Sequence, residues 1–427
     1  MLPFSNPARV ANTKGAEIYP YYAGFSKEFV EDAISWATDG KTQSLVLDPW
    51  NGSGTTTRTA NQLGFRSIGF DLNPVMVLVA KAELLDPAEA SVLLPLAKRI
   101  VRGARSTKKS EGNQPLDVFF DCSASQEIVQ LARSIWLHVV ATSLPKASNE
   151  LLTSWKDIAP LAGIYYVALF NAVRQLLQGL ATTNPTWLRV PKISEPKVCV
   201  DSKMIGTVFL SEVARIQEIA ASRRIPAIQQ PTTVTVGDSR SLPLRRASVN
   251  AIVTSPPYCT RLDYGRSTMP ELLILESLGI ADYKRARQQL MGAATARNSC
   301  QSSPLGRSCQ ELLERIRAHP SKASDTYYFQ SHLAYFNDLA SSLTEISRVL
   351  VPNGRACLVV QDSYYKEIHN DLPRILEEMG GMNGMTVTNA FPYQKKKTMR
   401  GLNKGSQVYL DRSPPVEVAM LLTKDSA

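Results

Sequence analysis

The sequence predicts an α/β fold, a doubly wound, Rossmann-like sheet with two largely helical insertions. Short apolar runs alternate with helical stretches at both ends of the chain. A glycine turn follows the first of these runs. Between the two ends lie long segments in which strand patterning fades, then returns briefly around residues 233–254.

Ser44 to Leu47 reads as a short strand, and Asn51-Gly52-Ser53-Gly54 as the turn after it. A helix is expected from Thr55, with Ala60 and Leu63 facing inward. Arg66 to Phe70 gives a second strand, Asp71-Leu72-Asn73-Pro74 ends it, and another helix follows from Val75. From Asp86 to Gln230 the pattern is helical in places, notably Ile128 to Val140 and Ile164 to Leu180. Strands return at Thr233 to Val236 and Val249 to Thr254, and an arginine-rich segment runs from Arg266 to Ser324. A helix over Tyr335 to Leu350, a turn at Pro352-Asn353-Gly354 and a strand at Ala356 to Val360 come next. Strands near Thr386 to Asn389 and Val416 to Leu422 close the chain. The expected division is a core of residues 15–85, 232–265 and 327–425, with insertions at 86–231 and 266–326.

The hydrophobic fraction of 44% and charged fraction of 20% are those of a soluble globular protein. The start lacks the basic and apolar run of a secretory signal, and Leu161 to Leu180 is broken by Asn171, Arg174 and Gln175. A cytoplasmic protein with no membrane partner is therefore expected. The six cysteines show no CxxC pairing, so neither a metal site nor a disulfide framework is expected. A formal charge of +10 suits an anionic partner, though many proteins of similar charge have none.

The turn after Asp48 lets the backbone approach a ligand at a helix N-terminus, and Asp71 lies where ribose hydroxyls would be bound. No Gly-Lys-Ser/Thr ending supplies a lysine for terminal phosphates. The dinucleotide glycine pattern is incomplete as well. An adenosine ligand without a pyrophosphate fits what remains, and S-adenosylmethionine is such a ligand.

Downstream, an apolar strand runs into Ser255-Pro256-Pro257-Tyr258. The prolines stiffen the chain and carry no N–H. Carbonyl oxygens, the Ser255 hydroxyl and the Tyr258 ring together suit a planar base bearing an amino group. Ser255 and the Pro256 carbonyl would accept from the amine, favour a pyramidal nitrogen and free its lone pair for in-line attack on a methyl group.

Taken as a set, these segments resemble the amino-group DNA methyltransferases. Asp48-Pro-Trp-Asn-Gly-Ser-Gly-Thr-Thr resembles their motif I, Gly69-Phe-Asp-Leu-Asn73 motif II, and Gly237-Asp238-Ser239-Arg240 motif III, beside the cofactor adenine. Thr254-Ser-Pro-Pro-Tyr258 resembles motif IV as cytosine-N4 enzymes carry it; adenine-N6 enzymes more often have Asp or Asn in place of Ser255. Tyr19-Pro-Tyr-Tyr-Ala-Gly-Phe25 looks like motif X, with Tyr19 where His is common and Gly24 where Lys is common.

The resemblance implies S-adenosylmethionine as cofactor, bound by Tyr19, Tyr21, Phe25, Asp48, Pro49, Asn51, Gly52, Ser53, Gly54, Thr55, Asp71, Leu72, Asn73, Asp238 and Ser239. It implies catalysis by Ser255, Pro256, Pro257 and Tyr258, and a site-specific DNA methyltransferase. DNA is the implied partner, with a cognate restriction endonuclease or other defence subunit beside it. Carbon-5 cytosine enzymes place a thiolate directly after their proline pair; Tyr258 stands there, and Cys259 comes one residue late.

Phosphate contacts are expected from Lys395, Lys396, Lys397, Arg400 and Lys404, or from the stretch Lys98 to Lys109. Arg261, Asp263 and Tyr264 could line a base pocket, or Arg261 and Asp263 could form a structural ion pair. Rival assignments are an adenine-N6 DNA enzyme, an RNA or protein amine methyltransferase, and a non-catalytic DNA-binding subunit with this fold.

Overall fold

The computed structural model describes residues 4–7, 17–20, 24–106, 112–141, 158–184, 186–223, 230–259, 263–292, 304–394 and 416–426. Along the chain, α1 (Lys27–Thr38), β1 (Leu45–Asp48), α2 (Thr55–Gln62), β2 (Arg66–Asp71) and α3 (Pro74–Ala82) form the first winding. A helical connection follows, α4 (Leu93–Ala104), α5 (Cys122–Ile135), α6 (Pro160–Leu176) and α7 (Ser202–Ser222), before β3 (Thr232–Val236) and β4 (Val249–Thr254). A second one, α8 (Tyr264–Ser267), α9 (Met269–Glu276), α10 (Tyr283–Gln289) and α11 (Arg307–Arg317), leads to α12 (Phe329–Val349). The chain then forms β5 (Leu350–Gln361), the hairpin β6 (Ser363–Tyr365) and β7 (Ile368–Asn370), α13 (Leu372–Met382), β8 (Met385–Gln394) and β9 (Val416–Lys424).

The main sheet has seven strands in the order β3-β2-β1-β4-β5-β9-β8. Pairings from β3 through β5 are parallel, and β9 runs antiparallel to both β5 and β8. The strand order reverses between β1 and β4, so a crevice opens beyond their carboxyl ends, where open α/β sheets take ligands. This is a Rossmann-like arrangement of a mostly parallel sheet between helices.

Alternation along each strand sends side chains to opposite layers. Val46, Ala251 and Val253 pack with Phe29, Val30 and Ile34 of α1, whereas Leu47 and Ile252 pack with Leu339 and Leu343 of α12. All nine residues of α3 are buried, because α6 covers its outer face so closely that a Cβ at Gly163 would meet the Leu78 carbonyl oxygen at 2.7 Å. Asn73 caps this helix by accepting from the Val75 N–H at 3.1 Å.

Some local expectations need correction. Leu63 does not face inward; it is 40% exposed, because α2 ends at Gln62 and Gly64 turns the chain away with φ +82°. The turn at Pro352-Asn353-Gly354 lies within β5. The ladder jumps from Val249–Leu350 to Ala251–Arg355, so residues 351–354 bulge out, with Asn353 at φ 59°. The helix expected from Tyr335 begins earlier, at Phe329. No helix among the described residues is long and apolar enough to cross a membrane.

Candidate active site

A cleft of about 960 Å³, counted out to its open mouth, lies beyond the carboxyl ends of β1, β2 and β4. Its floor begins at Asp48, where β1 ends. The Thr254 hydroxyl, at the end of β4, donates to Asp48 Oδ1 at 2.5 Å, and the Trp50 N–H donates to the same oxygen at 3.1 Å. Burial pushes the Asp48 carboxyl up to about 6, and the Thr254 hydrogen bond opposes that shift.

The glycine turn then leads into α2. Gly54 has φ +82°, and a Cβ there would meet the Ala80 Cβ at 2.8 Å, so the turn packs directly against α3. Asp71, at the end of β2, fixes the turn from across the strand pair. Its Oδ2 accepts from the Gly52 N–H at 2.9 Å and its Oδ1 from the Asn73 N–H at 2.8 Å. Burial pushes this carboxyl up to about 6 as well. Two carboxyls near neutrality thus share one cleft.

The Asn51 side chain accepts from Thr57 Oγ1 at 3.0 Å, yet its buried Nδ2 has no hydrogen-bond partner among the described residues. Asn51 lines the cleft, so a bound acceptor would satisfy that amide. On the β3 side, Asp238 and Ser239 also line the cleft. Arg240 grips Asp238 through Nε at 2.9 Å and Nη2 at 2.8 Å, and Ser239 pairs with Ser342 at 2.9 Å.

Ser255 to Tyr258 form the opposite wall. The Ser255 hydroxyl donates to the Val359 carbonyl at 2.8 Å, so its lone pairs remain for a donor in the cleft. Its contact with the Pro256 carbonyl, at 3.5 Å, is at the weak limit. The Tyr335 hydroxyl donates to the Pro257 carbonyl at 2.9 Å, and the Tyr258 N–H reaches the Tyr264 hydroxyl at 3.4 Å. Cys259, just beyond, is buried in the apolar cluster around α12.

The cleft therefore unites Phe25, Asp48, Pro49, Asn51 to Ser53, Thr55, Asp71 to Asn73, Asp238, Ser239 and the whole 255–258 loop. Gly54 stands behind the wall as packing. Tyr19 is a correction: its hydroxyl turns away and donates to Glu271 at 2.9 Å, within a buried cluster that Arg174 completes by pairing with both Glu271 oxygens. Burial beside the Glu271 carboxylate holds the Tyr19 phenol well above its usual range. Asp263 pairs with Arg287 at 2.7 Å and caps α8 by accepting from the Arg266 N–H at 2.9 Å, which is a structural role. Tyr21, Arg261, Lys395, Lys396, Lys397, Arg400 and Lys404 lie outside the described residues, as do Lys108 and Lys109. Lys98 and Arg99 are exposed on α4.

Tyr264 lines the cleft as its position after the loop suggested. Gln289, Leu290 and Met291 also line it, although nothing in the sequence marked them. Gly292 explains their approach: at φ +73°, a Cβ there would meet the Tyr258 carbonyl oxygen at 2.7 Å. Among the described residues there is no group of three or more His, Cys, Asp or Glu that could hold a metal ion.

Residues 3–82 match the family described as DNA methylase, N6/N4 type. The chain is also similar to the Type II methyltransferase M.BsoBI of Geobacillus stearothermophilus, with 28% identity over 281 residues. That match covers 60% of this chain and 51% of the relative, so the chain spans about half the relative's length. Among solved structures, a protein provisionally assigned as a sarcosine dimethylglycine methyltransferase from Galdieria sulphuraria aligns over 96% of this chain and 93% of its own. Its TM-score is 0.33 at 8% identity, a likeness too loose to carry an inference.

Proposed function

We propose that this chain, which is similar to amino-group DNA methyltransferases, methylates the N4 exocyclic amine of cytosine in DNA, with S-adenosylmethionine as donor and the target base flipped into the cleft. The observation that carries this choice is Ser255. Its hydroxyl gives its proton to Val359 and faces the cleft as a neutral acceptor, where adenine-N6 enzymes more often have Asp or Asn.

The residues present fit the cofactor. Asp48 and Asp71 offer negative charge near neutral pH, the unpartnered Asn51 amide offers a donor, and no lysine or arginine stands in the glycine turn to hold phosphates. When bound, S-adenosylmethionine supplies an electrophilic methyl group. Asp71 would hold its ribose, and the turn from Asp48 to Thr55, with Phe25, its remaining length. Asp238 and Ser239 would border the adenine.

The rest is positioning by the loop. Ser255 and the Pro256 carbonyl accept from the target amine and draw its lone pair out of conjugation. Tyr258 stacks on the base, and Tyr335 holds the Pro257 carbonyl so that the loop keeps one orientation. The helical connections from β2 to β3 and from β4 to α12 would serve as target-reading elements.

Tritium transfer from labelled cofactor to double-stranded DNA, followed by nucleoside analysis, tests this function. N4-methylcytosine among the digested nucleosides is the expected product. N6-methyladenine alone would reject the base assignment and keep the class, whereas label found only in RNA or protein would reject the class.

A further inference from the structure

The loop 186–198, between α6 and α7, carries a tip that no other described residue covers. Ile193 is fully exposed, at 104%, and Val190 beside it is 41% exposed. An apolar side chain wholly in water adds no burial to the fold that carries it, and here two exposed apolar side chains stand together at one tip.

The support beneath the tip is firm. Ala181 pairs with Leu188 in an antiparallel bridge, the Arg189 N–H donates to the Leu180 carbonyl at 2.8 Å, and the Val198 N–H donates to the Phe119 carbonyl at 2.9 Å. Arg189 pairs with Glu195 across the loop, and Glu195 also accepts from the Lys192 N–H at 3.3 Å. Of the three basic residues here, Arg189 pairs with Glu195 and the Lys197 ammonium donates to the Val118 carbonyl at 3.1 Å, which leaves Lys192 as the exposed cation beside Ile193.

The base of the loop stands near the cleft. Its Trp187 ring lies under the Arg266 guanidinium, 4.4 Å from the ring centroid. Arg266 is on α8, whose first residue, Tyr264, lines the cleft and meets the Tyr258 N–H.

We propose that this loop is a wedge for duplex DNA: Lys192 meets a phosphate, and Ile193 enters the base stack next to the nucleotide that leaves it. The proposal rests on DNA being the substrate. Proteins that open or kink a duplex insert apolar side chains between base steps and hold the flanking backbone with basic ones, which is the pairing found at this tip.

The full chain, Ile193→Ala and Lys192→Ala are compared by fluorescence anisotropy on a labelled random-sequence duplex and on the same duplex with a central mismatch. A mismatch is already partly unstacked, so a wedge matters less there. Ile193→Ala should weaken binding to the paired duplex about tenfold and to the mismatched one about twofold. Lys192→Ala should weaken both alike and lower the salt slope by about one.

Unchanged affinity for Ile193→Ala, an equal loss on both duplexes, or no duplex binding by the wild type would overturn the wedge. So would a change of mass by light scattering in Ile193→Ala, which would assign the tip to a second copy of the chain. Methyl transfer measured in parallel separates this proposal from the function it rests on. DNA methylated by a chain whose binding ignores Ile193 removes only the wedge. The expected binding pattern with label found only in RNA or protein removes only the assigned reaction.

Discussion

The Thr254 hydroxyl donates to the Asp48 carboxylate at 2.5 Å, joining the carboxyl ends of β4 and β1 at the floor of the cleft. Asp48 is buried and also accepts from the Trp50 N–H, so the hydroxyl carries much of what makes a charge tolerable there. Thr254→Val keeps the shape and removes the donor. It should destabilise the fold by about 1–3 kcal/mol at neutral pH and raise the Asp48 carboxyl further. Urea midpoints at pH 5 and pH 8 check this, with the larger loss expected at pH 8, where the carboxylate is charged. Equal loss at both pH values would count against an electrostatic role.

The two raised carboxyls also set a pH dependence. Asp48 and Asp71 rise from an ordinary 3.8 to about 6 in the folded chain, chiefly through burial. The folded state therefore binds protons more readily than the unfolded one. Their contribution to stability is fully present below the ordinary carboxylate range and is lost as pH rises through about 6. The apoprotein's Tm should accordingly carry a falling component across that window. A cationic cofactor reverses the sign, because it favours the charged carboxylates, so its affinity should rise through the same window. Calorimetric titration of S-adenosylmethionine between pH 5 and pH 8 gives the answer, and a flat profile would dissociate these carboxyls from cofactor binding.

Gly54→Ala examines the turn. The substitution imposes φ +82° on alanine and drives its Cβ to 2.8 Å from that of Ala80, deep in the α3 packing. A cost of at least about 1–3 kcal/mol is expected, felt as a lower Tm and weaker cofactor binding together. A variant with wild-type Tm would show that the turn can relax away from α3.

The parts of the site that could be read from sequence are those made by neighbours in sequence. Asp48, the glycine turn and Asp71 follow one another along a single βαβ unit, and Asn73 caps the helix it precedes. Turn chemistry and capping are local, so they leave a local signature. Tyr19 went the other way because its partner, Glu271, is 252 residues distant, and neither that contact nor Arg174 has a spacing to betray it. Gln289 to Met291 were hidden for a similar reason. Their place in the cleft depends on Gly292 passing against the Tyr258 carbonyl, a tertiary contact within an arginine-rich stretch that carried no strand or cofactor pattern. Leu63 was misplaced by one residue of helix length, since a period of 3.6 assigns a face only while the helix lasts.

Tyr335→Phe isolates the loop's orientation from its chemistry. The Tyr335 ring is buried in the α12 cluster and would remain as phenylalanine, while the hydroxyl that donates to the Pro257 carbonyl at 2.9 Å would be lost. The carbonyl sits one residue beyond Pro256, whose own oxygen would accept from the target amine under the proposed function, so freeing it should let the loop sample orientations in which Ser255 and Pro256 no longer converge on one nitrogen. Losing a single positioning contact of this kind should lower kcat about tenfold, by way of fewer productive alignments. Cofactor affinity should change little, because Asp48, Asn51 and Asp71 are untouched. Steady-state kinetics with varied cofactor and a fixed DNA substrate separate the two effects. A rise in the KM for cofactor with unchanged kcat would move Tyr335 from loop positioning to the cofactor side of the cleft.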